Sequence, residues 1–254
     1  MAIKKNIMSK IKRALISVSN KKNLKPLLKI LKKFQIEIIS SGGTYKKIKN
    51  LGFDCTEISN ITKFPEILEG RVKTLHPKIH GGILYKRKNK KHLKNIKENK
   101  INTIDLVIVN FYPFEETIQN ISNHEKIIEN IDIGGPAMVR AAAKNYNNVT
   151  VITSTNQYEE LLHQLNKNKG STTLEFRKKL SLNAFSETAY YDSLVADYFN
   201  KIVDDNFPKK KIIHSTLIEK LRYGENPHQK SAIYTNDSSL RLKQLQGKKL
   251  SYNN

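Results

Sequence analysis

Apolar residues in this chain gather in short runs, and between the runs they recur every three or four positions. Arg13–Ser19 reads Arg-Ala-Leu-Ile-Ser-Val-Ser, a run suited to a β-strand. Leu24, Leu27, Leu28 and Leu31 follow at helical spacing, with Pro26 tolerable in a first turn. Ile36–Ser40 is a second apolar run, which ends in Ser41-Gly42-Gly43-Thr44 and leads into a helix over Tyr45–Leu51. Strand, helix, strand, glycine-rich turn and helix in that order predict the opening of a parallel α/β sheet. Ile104–Asn110 is the strongest strand signal, with the near-continuous apolar character of a central strand buried on both faces. Val149–Thr153 adds another strand.

Gly52–Tyr85 lacks periodicity and carries Phe64-Pro65, Gly70, Pro77 and Gly81-Gly82, so it reads as loop-rich. The basic stretch Lys86–Lys100 predicts a solvated helix or loop. Glu125–Ile131 suits a short helix, and Gly134-Gly135-Pro136 opens another over Ala137–Ala143, with proline at the first helical position. Later periodicity is helical, over Tyr158–Leu165 and Thr173–Phe199. The polar stretch Val203–Lys211 marks a boundary. One domain is therefore expected over residues 1–202, and over 203–254 a linker plus a piece too short for its own core.

Composition changes this picture little. The formal net charge is +22 over 254 residues, which first points to nucleic acid. The lysines, however, are spread among Asn and Ile and seldom stand with aromatics, so they read as a bias over the whole surface. No nucleic-acid partner is expected. Cys55 is the only cysteine, so no intrachain disulfide can form, which fits a reducing compartment. The N-terminal ten residues have no apolar core of signal-peptide length, and Leu106–Val109 is too short to span a bilayer. The expectation is a soluble, cytoplasmic protein with no membrane partner.

Four segments could carry chemistry. Ser41-Gly42-Gly43-Thr44, between strand and helix, offers free N–H groups to an anion, although such turns often only cap helices. Arg71-Val72-Lys73-Thr74 puts two cations and a hydroxyl in one loop, suited to a phosphate, yet two cations in four residues are ordinary in so basic a chain. Asn110 and Tyr112 follow the strongest strand, where open α/β sheets collect ligands; aromatic packing is the alternative. Asp132 and Lys144 flank a helix and could move protons, or be two surface charges. His76 and His80 have a metal-like spacing, but Pro77 and Gly81-Gly82 argue against a helix and no Cys or Glu completes a set, so no metal is expected.

Taken in order, these segments resemble one family. They are Leu15–Ser19 with Lys21, Ser41–Thr44, Phe64-Pro65-Glu66, Gly70–Pro77, His80–Leu84, Asn110–Phe114, Asn130–Pro136 and Arg140–Asn145. The set is similar to the IMP cyclohydrolase half of the bifunctional purine biosynthesis family, AICAR formyltransferase and IMP cyclohydrolase. The resemblance runs from about Lys12 to the last residue. It implies a methylglyoxal-synthase-like fold, a parallel sheet flanked by helices, then a helical segment and a truncated start of a second domain. It implies that Ser19, Lys21, Ser41, Gly42, Gly43, Thr44, Arg71, Val72, Lys73 and Thr74 hold the 5′-phosphate and ribose. Asn110, Tyr112, Asp132 and Ile133 would surround the base, and Lys144 would be the principal proton-transfer residue. Catalysis would rest on Lys144, Asp132 and Tyr112. Asn20 departs from the aspartate common in the family.

The implied reaction closes 5-formamidoimidazole-4-carboxamide ribotide (FAICAR) to IMP with loss of water, with no cofactor. Leu221–Gln229 and Gln246–Asn254 resemble the opening of the formyltransferase domain, where Arg222 and Tyr223 would touch AICAR and 10-formyltetrahydrofolate would be the formyl donor. The family's catalytic Lys-His pair for that step lies beyond residue 254, so that site is expected to be incomplete. A homodimer is expected. A nucleotide-binding regulatory module of the same fold is the alternative, and fold alone does not exclude it.

Overall fold

The computed structural model describes residues 7–204, 207–236 and 244–252. Asn253 and Asn254, which end the second formyltransferase-like segment, lie outside them. The chain forms two compact units, Met1–Ala189 and Tyr190–Asn254.

The first unit begins with β1 (Met8–Lys10), β2 (Arg13–Val18), α1 (Leu24–Lys33), β3 (Glu37–Ser40), α2 (Gly42–Asn50), β4 (Thr56–Glu57), α3 (Ile58–Thr62), α4 (Pro77–Leu84) and α5 (Lys90–Glu98). It continues with β5 (Leu106–Asn110), α6 (Phe114–Asn120), α7 (His124–Glu129), α8 (Gly134–Lys144), β6 (Thr150–Ile152), α9 (Tyr158–Lys167) and β7 (Ser171–Thr173), and α10 (Leu174–Ile202) carries the chain into the second unit. Five strands form a parallel sheet in the order β4-β3-β2-β5-β6. The register sets Leu15 between Ile39 and Val107, so apolar side chains line up across the sheet. Leu15, Ile16, Leu106, Val107 and Ile108 are at most 1 % exposed, which accounts for the unbroken apolar runs: helices cover both faces. Each such side chain contributes about 1.5–3 kcal/mol by leaving water.

The helices bury the stripes their spacing predicts. Leu24, Leu27, Leu28 and Leu31 of α1 all face the core, and α1 meets α9. By contrast α5, drawn from the lysine-rich stretch, buries no residue. Cys55 packs against the core, and burial pushes its thiol up to about 12, so it is no nucleophile near neutral pH.

Three expectations are corrected. The glycine-rich segment is not a free turn before a helix starting at Tyr45; α2 already starts at Gly42. Proline 136 likewise stands third in α8, not first. The region 52–85 is less irregular than its composition implies, since it holds β4, α3 and α4. The histidine pair in particular lies on α4: His76 is the N-cap, its Nδ1 accepting the Lys78 N–H at 3.1 Å, and Pro77 occupies the first turn, where its missing N–H costs nothing. The helix keeps its glycines because its neighbours are close: a Cβ on Gly81 would lie 3.0 Å from Ile101 Cδ1, and one on Gly82 would strike the Asn102 carbonyl.

One edge of the unit is tied by a residue the periodicity did not flag. β1 pairs antiparallel with β7, and Arg177, fully buried on α10, lies behind them. Its guanidinium donates to the carbonyls of Tyr146 (2.8 Å), Asn147 (3.2 Å), Thr172 (2.5 Å) and Ile7 (3.3 Å). Burial pulls its pKa down to about 10, still high enough to keep it charged at neutral pH. In the second unit β8 (Thr216–Lys220) and β9 (Ala232–Thr235) pair antiparallel. Among its described residues after Val203 only Gly224 and Ser251 are buried.

Arg177→Met should therefore destabilise the first unit by about 3 kcal/mol or more, because several buried carbonyls lose their donor at roughly 1–3 kcal/mol each. Urea titration should show a lower midpoint with an unchanged slope. An unaltered midpoint would show that Arg177 ties nothing.

Candidate active site

Parallel strands release their chain at the same edge. The carboxyl ends of β2, β3 and β5 lie side by side, and the segments that follow them line one cleft of about 630 Å³. Ser19 and Lys21 come from the loop after β2, and Ser41, Gly42, Gly43 and Thr44 from the start of α2. Arg71, Lys73 and Thr74 come from the loop before α4; Asn110 ends β5 and Tyr112 follows it; Asp132 and Ile133 precede α8. The ligand crevice of an open α/β sheet forms at such an edge, where strand order reverses direction.

The α2 end of the cleft is made for an anion. Ser41 stands at the N-cap with extended backbone, and its side chain caps none of the first-turn N–H groups. Helical N–H groups at that position have no partner within the helix and carry the positive end of its dipole. Gly42 has φ +53°, and a Cβ there would lie 3.0 Å from Lys73 Nζ, so the missing side chain lets the ammonium reach the helix end. Lys21 also lies near, 3.9 Å (Cε) from where a Gly43 Cβ would stand, with its Nζ donating to the Ser19 carbonyl at 3.2 Å.

Two polar residues expected to touch a ligand turn out to hold the walls together. The Thr44 hydroxyl accepts the Val18 N–H at 3.1 Å and donates to the Val18 carbonyl at 3.0 Å, fixing α2 to the end of β2. Asn110 takes the Asn20 N–H on Oδ1 at 2.8 Å and donates through Nδ2 to the Asn20 carbonyl at 3.2 Å. Asn20 in turn accepts the Lys22 N–H on Oδ1, a bond an aspartate would make equally, so the departure from the family leaves this turn intact.

Asp132 supplies the titratable acid. Its Oδ1 accepts the Gly135 N–H at 2.8 Å, and a Cβ on Gly135 would strike the carboxylate. Burial raises its pKa above the ordinary value, while N–H bonds from Gly135 and Tyr112 pull the other way without cancelling the shift. The Tyr112 ring is half exposed at the rim. Thr74 is buried against the start of α8, its hydroxyl 2.6 Å from where a Gly134 Cβ would stand.

Other expected residues stand apart. Val72 pairs with Ile67 in an isolated antiparallel bridge and does not line the cleft. Lys144 is exposed at the last position of α8 and is not among the lining residues. The helix of eleven residues that separates it from Asp132 rises roughly 15 Å. Its neighbour Asn145 is structural: buried, it donates to the carbonyls of Ile83 (2.6 Å) and Tyr85 (3.0 Å). Arg222 and Tyr223 lie in the second unit. There Arg222 N–H donates to the Leu250 carbonyl at 2.9 Å, so the two formyltransferase-like segments do meet.

The sequence reading missed the acids. Glu66, Glu69 and Glu129 also line the cleft, so four acids with Asp132 face three cations, Lys21, Arg71 and Lys73. Lys73 Nζ lies 2.8 Å from Glu66 Oε1, and Arg71 pairs with Glu129, whose carboxyl it holds below the usual range. The charge of the whole chain is thus not concentrated here. Glu66 fell inside a quoted motif and Glu129 inside the helix expected over Glu125–Ile131, but nothing in their spacing announced a partner.

Known proteins match this chain along nearly its full length. An MGS-like domain model matches residues 23–137, and the model of the AICARFT/IMPCHase bienzyme matches 142–254. The bifunctional purine biosynthesis protein PurH of Dinoroseobacter shibae is 46 % identical over 248 residues, covering 96 % of this chain and 47 % of its own length. That of Bacillus subtilis is 48 % identical over 250 residues, covering 96 % and 49 %. The chain therefore spans about half the length of the curated relatives it matches. Among solved structures, the crystal structure of ForH superposes with a TM-score of 0.65 at 32 % identity, over 74 % of this chain and 99 % of that one. With an MGS-like sheet, a cleft at its carboxyl edge and close relatives along nearly its full length, the chain belongs to the bifunctional AICAR formyltransferase/IMP cyclohydrolase family.

Proposed function

We propose that the first unit closes FAICAR to IMP, and that this cleft is where it does so. The observation that carries the reading is one cleft with an anion-binding helix end and cations beside a buried acid of raised pKa. The 5′-phosphate would meet the α2 N-terminus, Lys21, Arg71 and Lys73. The base would lie against Tyr112, Asp132 and Ile133. The carboxamide nitrogen attacks the formyl carbon and a C–N bond forms. The formyl oxygen then leaves as water, taking one proton from the carboxamide nitrogen and one from the formamido nitrogen. Both reacting groups belong to one molecule, so holding them in contact does much of the work. The remainder is proton movement, which Asp132 would perform, a carboxyl in the cleft whose pKa burial raises.

A regulatory module that only bound the nucleotide would have no need of a desolvated acid beside the anion cradle, which favours catalysis over that alternative. As part of the same proposal, the protein would work in the cytoplasm as a homodimer. Arg222 and Tyr223 would contribute AICAR contacts to a formyltransferase site whose donor is 10-formyltetrahydrofolate. Among the described residues no helix is long and apolar enough to cross a membrane.

The direct test is IMP formation from FAICAR by the purified chain. Lys73→Ala should weaken IMP binding roughly ten- to a hundredfold in calorimetry, since a charge-assisted contact is worth about 1.5–3 kcal/mol. An unchanged dissociation constant would remove Lys73 from the clamp.

Asp132 gives a pH signature. Below its raised pKa it is a neutral acid, and above it a carboxylate able to accept the proton. Turnover should therefore fall as pH drops through a value above the ordinary carboxyl range. Asp132→Asn should erase that limb and lower kcat by about 10²–10⁴-fold. A full pH profile in the variant would take the proton away from Asp132.

The proton-transfer role of Lys144 rests on the family's pattern and not on the cleft. Lys144→Ala should leave IMP affinity within about threefold, so that any loss falls on kcat. A large fall in affinity would contradict its place outside the cleft.

A further inference from the structure

Both cations of the Arg71–Thr74 loop, the ones expected to take the phosphate, already hold a carboxylate. In an anion site each such acid opposes the ligand. The Glu66–Lys73 pairing is also built in. Glycines leave room for it: a Cβ on Gly70, at φ +96°, would come within 2.6 Å of Glu66 Oε1, and one on Gly42 within 3.0 Å of Lys73 Nζ. The Glu66–Lys73 pair thus fills a space between the 3₁₀ turn Leu68–Gly70 and the start of α2. Lys73 is about one-quarter exposed, so its ammonium is held in place and not roaming at the surface. Glu129, from the end of α7, reaches Arg71 from a different segment, and the two close one side of the same cleft.

We propose that Glu66 and Glu129 are built-in placeholders for the ligand's phosphate. They keep Lys73 and Arg71 in position before the nucleotide arrives and give them up when a phosphate monoester enters. A long lysine or arginine side chain loses rotamer freedom when a ligand fixes it, and a partner that fixes it beforehand spares the ligand part of that cost. The ligand must then displace a carboxylate, which weakens its net affinity. For an enzyme that must release a nucleotide product, weaker binding of the shared phosphate favours turnover over retention. The exchange works because these ion pairs are partly exposed and therefore shallow, so a phosphate dianion outbids them.

The inference rests on the nucleotide reading of the cleft, and it makes a prediction of opposite sign to that for Lys73. Glu66→Gln and Glu129→Gln keep the size of the side chain and remove its charge. Each should tighten IMP binding, measured by calorimetry at fixed salt, by about two- to fivefold. Inorganic phosphate should tighten in the same way. Inosine, which lacks the phosphate, should bind each variant as it binds the wild-type protein. Thermal unfolding of both variants verifies that they fold. Weaker or unchanged IMP binding in both folded variants would overturn the proposal, and if the wild-type chain still binds IMP, the nucleotide reading survives. A parallel change for inosine would also overturn it, because the carboxylates would then be meeting the ribose or base. If neither wild type nor variants bind IMP or phosphate, both readings fall together.

Discussion

Everything at this site depends on three parallel strands ending at one edge. β2 lies between β3 and β5, and the register carries Val18 beside Asn110 and Ile16 beside Ser40. Parallel pairing forces each strand to hand its chain onward at that same edge. The segments after β2, β3 and β5 are thus neighbours although they come from distant parts of the sequence. No single segment forms the cleft. Lys21, Gly42, Asn110 and Asp132 meet because the sheet brings them together.

A sheet edge alone would leave loose loops, and short polar bonds remove that freedom. Thr44 joins α2 to the last residue of β2, and Asn110 joins the end of β5 to Asn20. Each residue uses both its donor and its acceptor on one backbone unit, which fixes orientation as well as distance. Asp132 adds a single bond at the start of α8, its Oδ1 accepting the Gly135 N–H. The proposed ring closure needs a rigid frame to hold a near-attack conformer, and these bonds supply it.

Much of this was legible in the sequence, and the limits have physical reasons. Strands β2, β3 and β5 announced themselves because a strand buried on both faces must be apolar throughout, and α1 because one face must be. Edge strands β1 and β7 are three residues long and gave no such signal. Helix α4 was hidden by its own composition, because Gly81 and Gly82 are there for close packing and not for a turn. The cleft residues could be named from ordered motifs. What Thr44 and Asn110 bond to, and that Arg71 has a carboxylate partner, depends on contacts between segments tens of residues apart. Lys144 shows the same limit from the other side. Its motif is intact, but its place on α8 is a matter of helix length, which a motif does not measure.

The charge distribution bears on selectivity. A chain of net charge +22 attracts anions to its whole surface, so a simple excess of cations in the cleft would not distinguish it from the rest. The cleft instead balances its cations with acids at fixed positions. What sets it apart is geometry: helix N–H groups at Gly42 and Gly43, a lysine held against them, and a desolvated carboxyl at Asp132 in the same cleft. On the proposed reading, such a site takes a ligand that matches both features at once, a phosphate and a polar base on one molecule. A polyanion that offers phosphates alone engages the first feature and leaves the second unused. Surface lysines such as those of α5 can bind it as well, and that binding fades with added salt while the cleft keeps its shape.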